Sequence, residues 1–187
     1  PDRPGVRPVV MSLPAKIIAL HRHLDDAGLP HAFGGALALA WCTQQARGTI
    51  DIDVNVFVGV DQLDQLLDGL PDEVTWTDED LVLLRRDGQA RLHWDETPVD
   101  VFLDPTDFHR AVAGRCRTES FAGTDVPFLG CDDVAVFKAF FDRTKDWADL
   151  EAMAAAGTLD VDRVTGVLVD YLGASDPRIV KVLALRP

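Results

Sequence analysis

The sequence predicts an α+β fold, with a mixed or antiparallel sheet, flanking helices and a helical C-terminal region. Residues 51–58 alternate polar and apolar side chains, which is the period of a strand with one buried face. The stretches 81–103 and 115–128 combine strand-like runs with turn signals. From Asp132 onward the apolar spacing is helical. At 187 residues the chain is long enough to bury a substantial core.

Boundaries follow from composition. We expect a proline-rich, disordered leader over residues 1–11, with Met11 as a possible natural start. A sheet-containing core spans 12–130, and the helical region of 131–187 packs on it.

Local signals place the elements in order. Ser12 is a predicted N-cap, with Pro14 in the first turn of a helix that reaches Gly28. Leucine spacing predicts a short helix that ends near Gly69. Between residues 81 and 103 we expect three strands, with residues 87–88 as a hairpin turn and residues 95–98 as a second connection.

The later elements follow the same rules. We expect a second hairpin in which residues 115–121 and 124–128 are joined around Ala122 and Gly123. After it, Gly157, Gly173 and the start signal of residues 175–177 divide the remaining chain into about four helices.

Three aspartates are candidate metal-binding residues. Asp51 and Asp53 are two residues apart at the start of a strand-like run, so they project from one face. Asp100 lies among large apolar residues in a second run, where an unpaired carboxylate would be costly to bury. If the runs are neighbouring strands, the three converge as oxygen ligands for Mg²⁺, which also binds substrate phosphates. An acidic, solvent-exposed face is the open alternative.

A glycine pair precedes this run. Gly34 and Gly35 lie before residues 36–41, whose composition favours a helix. Lacking Cβ atoms, two glycines at a helix N-terminus let a phosphate approach the backbone N–H groups. The same pair also suits an ordinary tight turn.

A second informative stretch spans residues 137–150. Lys138 lies on an apolar helical stripe, where a lysine can extend to solvent, pair with Asp142, or hold nucleotide phosphates. Asp146 follows, and it also suits a helix cap. The residues alone leave these alternatives open.

These motifs resemble a known superfamily. The glycine pair, the pattern R-x-T-x-D-x-D from Arg47 to Asp53, and Asp100 resemble the nucleotidyltransferases related to DNA polymerase beta. With the pattern K-x4-R-x-K-D-x-x-D-L from Lys138 to Leu150, the chain looks more closely like the AbiEii/MenT type, which are toxins of bacterial toxin–antitoxin systems.

The resemblance implies a magnesium-dependent transfer of a nucleotide from an NTP, with CTP favoured, to the 3′ end of tRNA, which would block aminoacylation and translation. It implies a cognate antitoxin and, as in some relatives, phosphorylation at Thr49. The implied catalytic residues are Asp51, Asp53, Asp100, Lys138 and Asp146, with the first three as metal ligands. The implied nucleotide-binding residues are Gly34, Gly35, Arg47, Thr49 and Lys138.

The charge distribution keeps other functions open. A net charge of −13 argues against broad nucleic-acid binding, which needs a basic footprint. Residues 61–80 contain eight acids and no base, whereas six arginines lie between Arg85 and Arg117, near Asp100. Those arginines could guide RNA or be scattered and solvated. Strong negative charge suits a cationic aminoglycoside, so a small-molecule nucleotidyltransferase is one alternative and a non-catalytic interaction module another.

Cysteine usage and hydropathy complete the expectations. Cys42, Cys116 and Cys131 are odd in number and lack metal-ligand spacing, which predicts reduced thiols and no zinc site. No apolar run is long enough for a membrane-spanning helix, and we expect a cytoplasmic protein.

Overall fold

The computed structural model describes residues 11–46 and 48–186, so the predicted leader lies outside the described residues except for Met11. The strands are β1 (His31–Phe33), β2 (Ile52–Val56), β3 (Val74–Thr75), β4 (Gln89–Trp94), β5 (Thr97–Phe102), β6 (Arg117–Phe121) and β7 (Thr124–Phe128). The helices are α1 (Leu13–Asp26), α2 (Gly35–Thr43), α3 (Leu63–Asp68), α4 (Asp78–Asp87), α5 (Asp107–Val112), α6 (Cys131–Phe141), α7 (Thr144–Ala155), α8 (Val161–Leu172) and α9 (Pro177–Leu183).

The strands form one sheet in the order β3-β4-β5-β2-β1-β7-β6. The β2–β5 and β1–β7 pairs are parallel, whereas the other neighbours are antiparallel. The sheet is therefore mixed, and the predicted α+β class is confirmed.

Alternation along β2 explains why this strand is central. Ile52, Val54 and Val56 are fully buried on one face of the sheet. Asp53 and Asn55 project from the other face, because successive side chains of a strand point to opposite sides. The strand thus presents Asp53 and Asn55 on the face opposite its buried apolar residues.

A buried lysine sets the β4–β5 connection. Lys16 on α1 is 2% exposed, and its Nζ donates to the carbonyl of Trp94 at 2.7 Å. It also donates to Asp95 at 3.2 Å and to Thr97 at 3.1 Å. Because these groups flank the turn, Lys16 ties the hairpin to the first helix.

One predicted hairpin was wrong. Residues 81–87 belong to α4 and are not a strand, so two strands lie between residues 81 and 103, in place of the expected three. Thr77 and Asp80 form a reciprocal capping box that starts the helix. Gly88 then ends it at a positive φ of 68°. The Asp87-Gly88 pair is therefore a helix terminus, although the same dipeptide is typical of hairpin turns.

The remaining boundaries agree with the sequence. The hairpin of β6 and β7 turns at Ala122 and Gly123, both at positive φ. Four helices follow residue 130, with breaks at Gly157 and Gly173. Among the described residues, no helix is long and apolar enough to span a membrane.

The cysteines correct another expectation. Cys42 at the end of α2 and Cys131 at the start of α6 form a disulfide, with Cα atoms 5.5 Å apart and a sequence separation of 89. Cys116 remains a free thiol. The expectation of reduced thiols was wrong for two of the three cysteines, because the fold brings together residues that are remote in sequence.

Removing this disulfide is expected to destabilise the fold. Closure of so long a loop restricts the unfolded chain, so the double variant Cys42→Ser/Cys131→Ser should lose about 2–4 kcal/mol of unfolding free energy. Urea denaturation measures the loss, and Cys116→Ser is the matched control. Equal midpoints for wild type and double variant would contradict the prediction.

Candidate active site

Strand register brings two of the predicted acids together. In the parallel pair of β2 and β5, Asp53 lies directly opposite Asp100. Asp51 precedes β2 in a bend, and its side chain is 32% exposed. All three carboxylates line the same cleft of about 330 Å³. The structure thus places the three acids at adjoining positions of the central strands.

The glycine pair packs directly against Asp53. Gly34 donates its backbone N–H to the carbonyl of Asp53 at 2.9 Å, and α2 begins at Gly35 without a side-chain cap. Gly35 has a φ of 54°, and a Cβ atom there would overlap the Asp53 carboxylate. A glycine is needed at this position both for its left-handed conformation and for the close approach. The start of α2 therefore faces the acids, with uncapped N–H groups that favour an anion.

Burial and like charge destabilise the ionised form of Asp53. Desolvation is the main cause, and repulsion by Asp51 and Asp100 adds to it, raising the pKa of Asp53 to about 6. Lys138 and Lys145 act in the opposite direction but more weakly. The positive charges of the protein therefore do not fully compensate the Asp53 carboxylate.

Arg91 is the functional candidate that the sequence motifs missed. Its Nε and Nη2 each donate to one oxygen of Asp100, both at 2.7 Å, and Nη2 lies 3.9 Å from Asp51. The pKa of Arg91 is raised further by this bidentate pairing. The sequence could have predicted this pair from the β4–β5 turn. That turn pairs Trp94 with Thr97, and the antiparallel register then pairs residue 91 with residue 100.

Thr49 lies beside the first acid. Its hydroxyl donates to the carboxylate of Asp51, and its Oγ1 is 3.4 Å from the Asp51 backbone nitrogen. Arg47, the remaining member of the predicted pattern, lies outside the described residues.

Lys138 is buried and pairs with acids of the next helix. Its Nζ donates to Asp149 at 2.6 Å and lies 3.6 Å from Asp146. Asp142, the alternative partner considered from the sequence, instead accepts from Lys181 and Trp147. Since α6 and α7 pack together, Lys138 reaches across to the next helix, not along its own.

Asp146 is a helix cap that also lines the cleft. It is fully buried and caps α7, accepting from the backbone N–H of Arg143 at 3.3 Å and from its Nε at 2.6 Å. It also lines the cleft with Lys138 and Lys145. Acids from the sheet thus face cations from α6 and α7 across one cleft.

Two histidines, His93 and His109, lie outside the lining of the acid cleft. His93 is on β4, paired in register with Pro98. His109 is on α5, where its Nδ1 is 2.7 Å from Thr106 Oγ1 and its ring contacts that of Phe137. Neither histidine lines the cleft that holds the acids.

The donor chemistry fits a divalent cation. Carboxylates are the hard oxygen ligands that Mg²⁺ prefers, and a cation would relieve the repulsion that raises the pKa of Asp53. Within residues 11–46 and 48–186, no three acidic, His or Cys side chains already converge as a ligand group. At Asp100, Arg91 donates to both carboxylate oxygens.

Comparison with known proteins tests this architecture. No family model matches the sequence, and no curated protein matches it. The solution structure of the antibiotic-resistance factor ANT(2″)-Ia is similar, with a TM-score of 0.53 and 13% identity over 84% of this chain and 90% of that chain. The crystal structure of ANT(2″)-Ia in complex with adenylyl-2″-tobramycin also gives 0.53, with 16% identity over 90% and 94%.

The chain has the same fold as the two ANT(2″)-Ia structures. A nucleotidyltransferase-like protein from Paracoccidioides brasiliensis also aligns, over 91% of both chains at 14% identity, with a TM-score of 0.49. The predicted nucleotidyltransferase core is confirmed as a fold by the two ANT(2″)-Ia structures. At these identities the similarity concerns the fold alone.

Proposed function

We propose that the protein is a magnesium-dependent nucleotidyltransferase that moves a nucleotide from an NTP to a hydroxyl acceptor. The observation that carries the proposal is the register of Asp53 opposite Asp100, directly under the glycine-initiated start of α2. Carboxylates beside an anion-binding helix N-terminus are what phosphoryl transfer requires.

The residues of the cleft have two proposed roles, which are to bind the metal and to bind the phosphates. Asp51, Asp53 and Asp100 are the residues that would hold magnesium, which when bound polarises the α-phosphate and neutralises developing charge. The N–H groups at the start of α2 bind the phosphates, and Lys138 neutralises them from α6. Arg143 and Lys145 add positive charge on the α7 side of the cleft.

The transfer step uses Asp100 as a proton acceptor. The acceptor hydroxyl loses its proton to the Asp100 carboxylate as its oxygen bonds to the α-phosphorus. The bond from that phosphorus to the oxygen bridging to the β-phosphate breaks, and pyrophosphate leaves. Because Arg91 occupies both oxygens of Asp100, it must release this carboxylate first.

We propose the 3′ end of tRNA as the acceptor and a pyrimidine, with CTP favoured, as the donor. The resemblance to AbiEii/MenT toxins over both motifs supports this acceptor. The added nucleotides would block aminoacylation and so stop translation, and a cognate antitoxin would hold the enzyme inactive.

A small-molecule acceptor is the second candidate. The net charge of −13 would attract a cationic aminoglycoside, and the fold is similar to that of ANT(2″)-Ia over most of both chains. The motif of Lys138, Arg143 and Asp146 favours tRNA instead.

Labelled transfer distinguishes the acceptors. Purified protein is incubated with Mg²⁺ and each α-labelled NTP in turn, with total tRNA in one arm and a set of aminoglycosides in the other. Label on tRNA that is absent with Asp51→Ala supports the proposal. Label on aminoglycosides alone would favour the second candidate, and label on neither would favour a non-catalytic module.

Phosphorylation of Thr49 is expected to silence the enzyme. Its hydroxyl now donates to Asp51, and a phosphate would replace that donor with about −1.5 to −2 units of charge beside the acids. Thr49→Glu should therefore lower transfer more than about tenfold, whereas Thr49→Ser should retain it. Intact-mass measurement after co-expression with the antitoxin tests the modification, and an inhibited protein of unmodified mass would rule it out.

A further inference from the structure

An aromatic cavity of about 250 Å³ lies beside the acids. It is bounded by the ends of β5 and α6 and by α5 and α8. Its aromatic walls are Phe102, Phe108, Phe137, Phe140, Phe141 and Tyr171. An apolar, largely aromatic cleft of this kind is typical of small-molecule and cofactor sites.

The cavity adjoins the acceptor side of the site. Phe102 follows Asp100 by two residues on β5, so both side chains project from the same face of the sheet. Phe102 and Phe141 also line the space that contains Asp53, Asp100 and Arg91. In the sheet order, β5 lies on one side of β2. Strand β1 lies on the other side of β2 and leads to the phosphate-binding glycines. Three of its walls, Phe102, Phe137 and Phe141, also line a narrower space that contains Gly35 and Lys138, so the cavity borders the start of α2 as well as Asp100.

The walls are accessible and suit a flat ring. Phe141 is 41% exposed and Tyr171 is 46% exposed, so the cavity opens to solvent. The Arg143 guanidinium lies over the Phe141 ring, with its Cζ 4.7 Å from the ring centroid, which stabilises this wall. Gln89 and His109, which also line the cavity, carry groups that can hydrogen-bond to the edge of a base.

Among the described lining residues there is little negative charge to pair with the amines of a polycation. Asp87 is the one carboxylate among the lining residues, and Arg86 already pairs with both of its oxygens. The volume is below that of a typical drug-sized pocket, which is about 300–1,000 Å³, and is adequate for a single ring system. Aromatic surroundings bind nucleobases by stacking.

We propose that this cavity receives the terminal nucleobase of an RNA acceptor and so presents its ribose hydroxyl to Asp100. This inference rests on the proposed nucleotidyltransferase function and selects RNA over an aminoglycoside as its acceptor.

The single tyrosine offers a direct reporter. Tyr171 is the only tyrosine of the chain, so incorporation of 3-fluorotyrosine gives one ¹⁹F NMR signal from the cavity wall. Four probes are titrated separately into the full chain: adenosine, a short RNA ending in CCA, α,β-methylene-CTP with Mg²⁺, and tobramycin. Transfer to tRNA is assayed in parallel on the same preparation.

We expect adenosine and the RNA to shift the signal, and α,β-methylene-CTP and tobramycin to leave it unchanged. Transfer to tRNA without any shift would overturn the cavity assignment and leave the proposed function standing. A shift with α,β-methylene-CTP alone would assign the cavity to the donor base and overturn the proposal. Absence of transfer to any acceptor would overturn the proposed function and, with it, the acceptor role of the cavity.

A variant supplies an independent check. Phe141→Ala removes an exposed wall and should weaken RNA binding and raise the KM for the RNA acceptor about 5- to 100-fold, with a smaller change in the KM for NTP. Val60→Ala, an exposed apolar position that does not line the cavity, is the control. An equal KM for RNA in the wild type and in Phe141→Ala would overturn the proposal.

Discussion

Replacing Asp53 with asparagine is expected to abolish nucleotidyl transfer and at the same time to stabilise the protein. Activity should fall by at least about 10²–10³-fold, the effect of removing one preorganised electrostatic contact from a transition state. Stability should rise because a buried carboxylate beside Asp51 and Asp100 is replaced by a neutral amide of the same shape.

The gain in stability should depend on pH in a defined direction. The pKa of Asp53 is raised to about 6 in the folded protein, above its unfolded value of 3.8. Folding therefore favours the protonated form, and the cost of ionisation is complete above pH 6 and absent below about pH 4. In EDTA, Asp53→Asn should be about 1–3 kcal/mol more stable than the wild type at pH 8, with no difference near pH 4.

Urea denaturation at the two pH values measures this gap, and Asp125→Asn on the exposed side of β7 is the matched control. A variant that is less stable than the wild type at pH 8 would contradict the expectation. It would mean that Asp53 is compensated by a partner in the folded chain.

Adding a single methyl group at Gly35 is expected to damage both fold and site. In Gly35→Ala the new Cβ would overlap the Asp53 carboxylate and lie 3.0 Å from its Cβ, at a φ of 54° that disfavours alanine. We expect a loss of about 1–3 kcal/mol in unfolding free energy from the strained backbone and displaced strand. Transfer should fall at least about 10²-fold, because phosphate contacts and a metal ligand move together.

Two other glycines separate these effects. In Gly34→Ala the nearest atoms are farther away, Asn55 Nδ2 at 3.0 Å and Leu129 Cδ1 at 3.1 Å, and φ is not positive, so the effect should be smaller. Gly48→Ala has nothing within 4 Å of its new Cβ and should behave like the wild type in denaturation. If Gly35→Ala and Gly48→Ala were equally active and stable, the close approach of α2 to Asp53 would be wrong.

Short-range patterns in the sequence were sufficient for much of the site. The alternation of polar and apolar residues predicted that Asp53 lies on one face of a strand. The apolar neighbours of Asp100 predicted a buried strand, and the structure shows that this strand pairs in parallel with β2. The glycine pair predicted the start of a helix, and α2 begins at Gly35. These predictions rest on periods of two to four residues, which backbone geometry imposes wherever the segment lies.

Where a local signal had two meanings, the pattern was not enough. The Asp87-Gly88 pair suits a hairpin turn or a helix end, and the capping box at Thr77 and Asp80 decided for the helix. Lys138 had a partner within reach on its own helix, yet it pairs with Asp149 eleven residues later. The packing of α6 against α7 brings the Asp149 carboxylate to the Lys138 ammonium.

The sequence by itself determined the fold class, the strands that carry the acids and the helix that begins above them, because local periodicity and composition encode these features. Tertiary structure alone decided the pairing of Arg91 with both oxygens of Asp100, the joining of Cys42 to Cys131, and the aromatic cavity beyond Phe102. These contacts join residues from different elements. They exist only after the sheet order and helix packing have brought remote parts of the chain together.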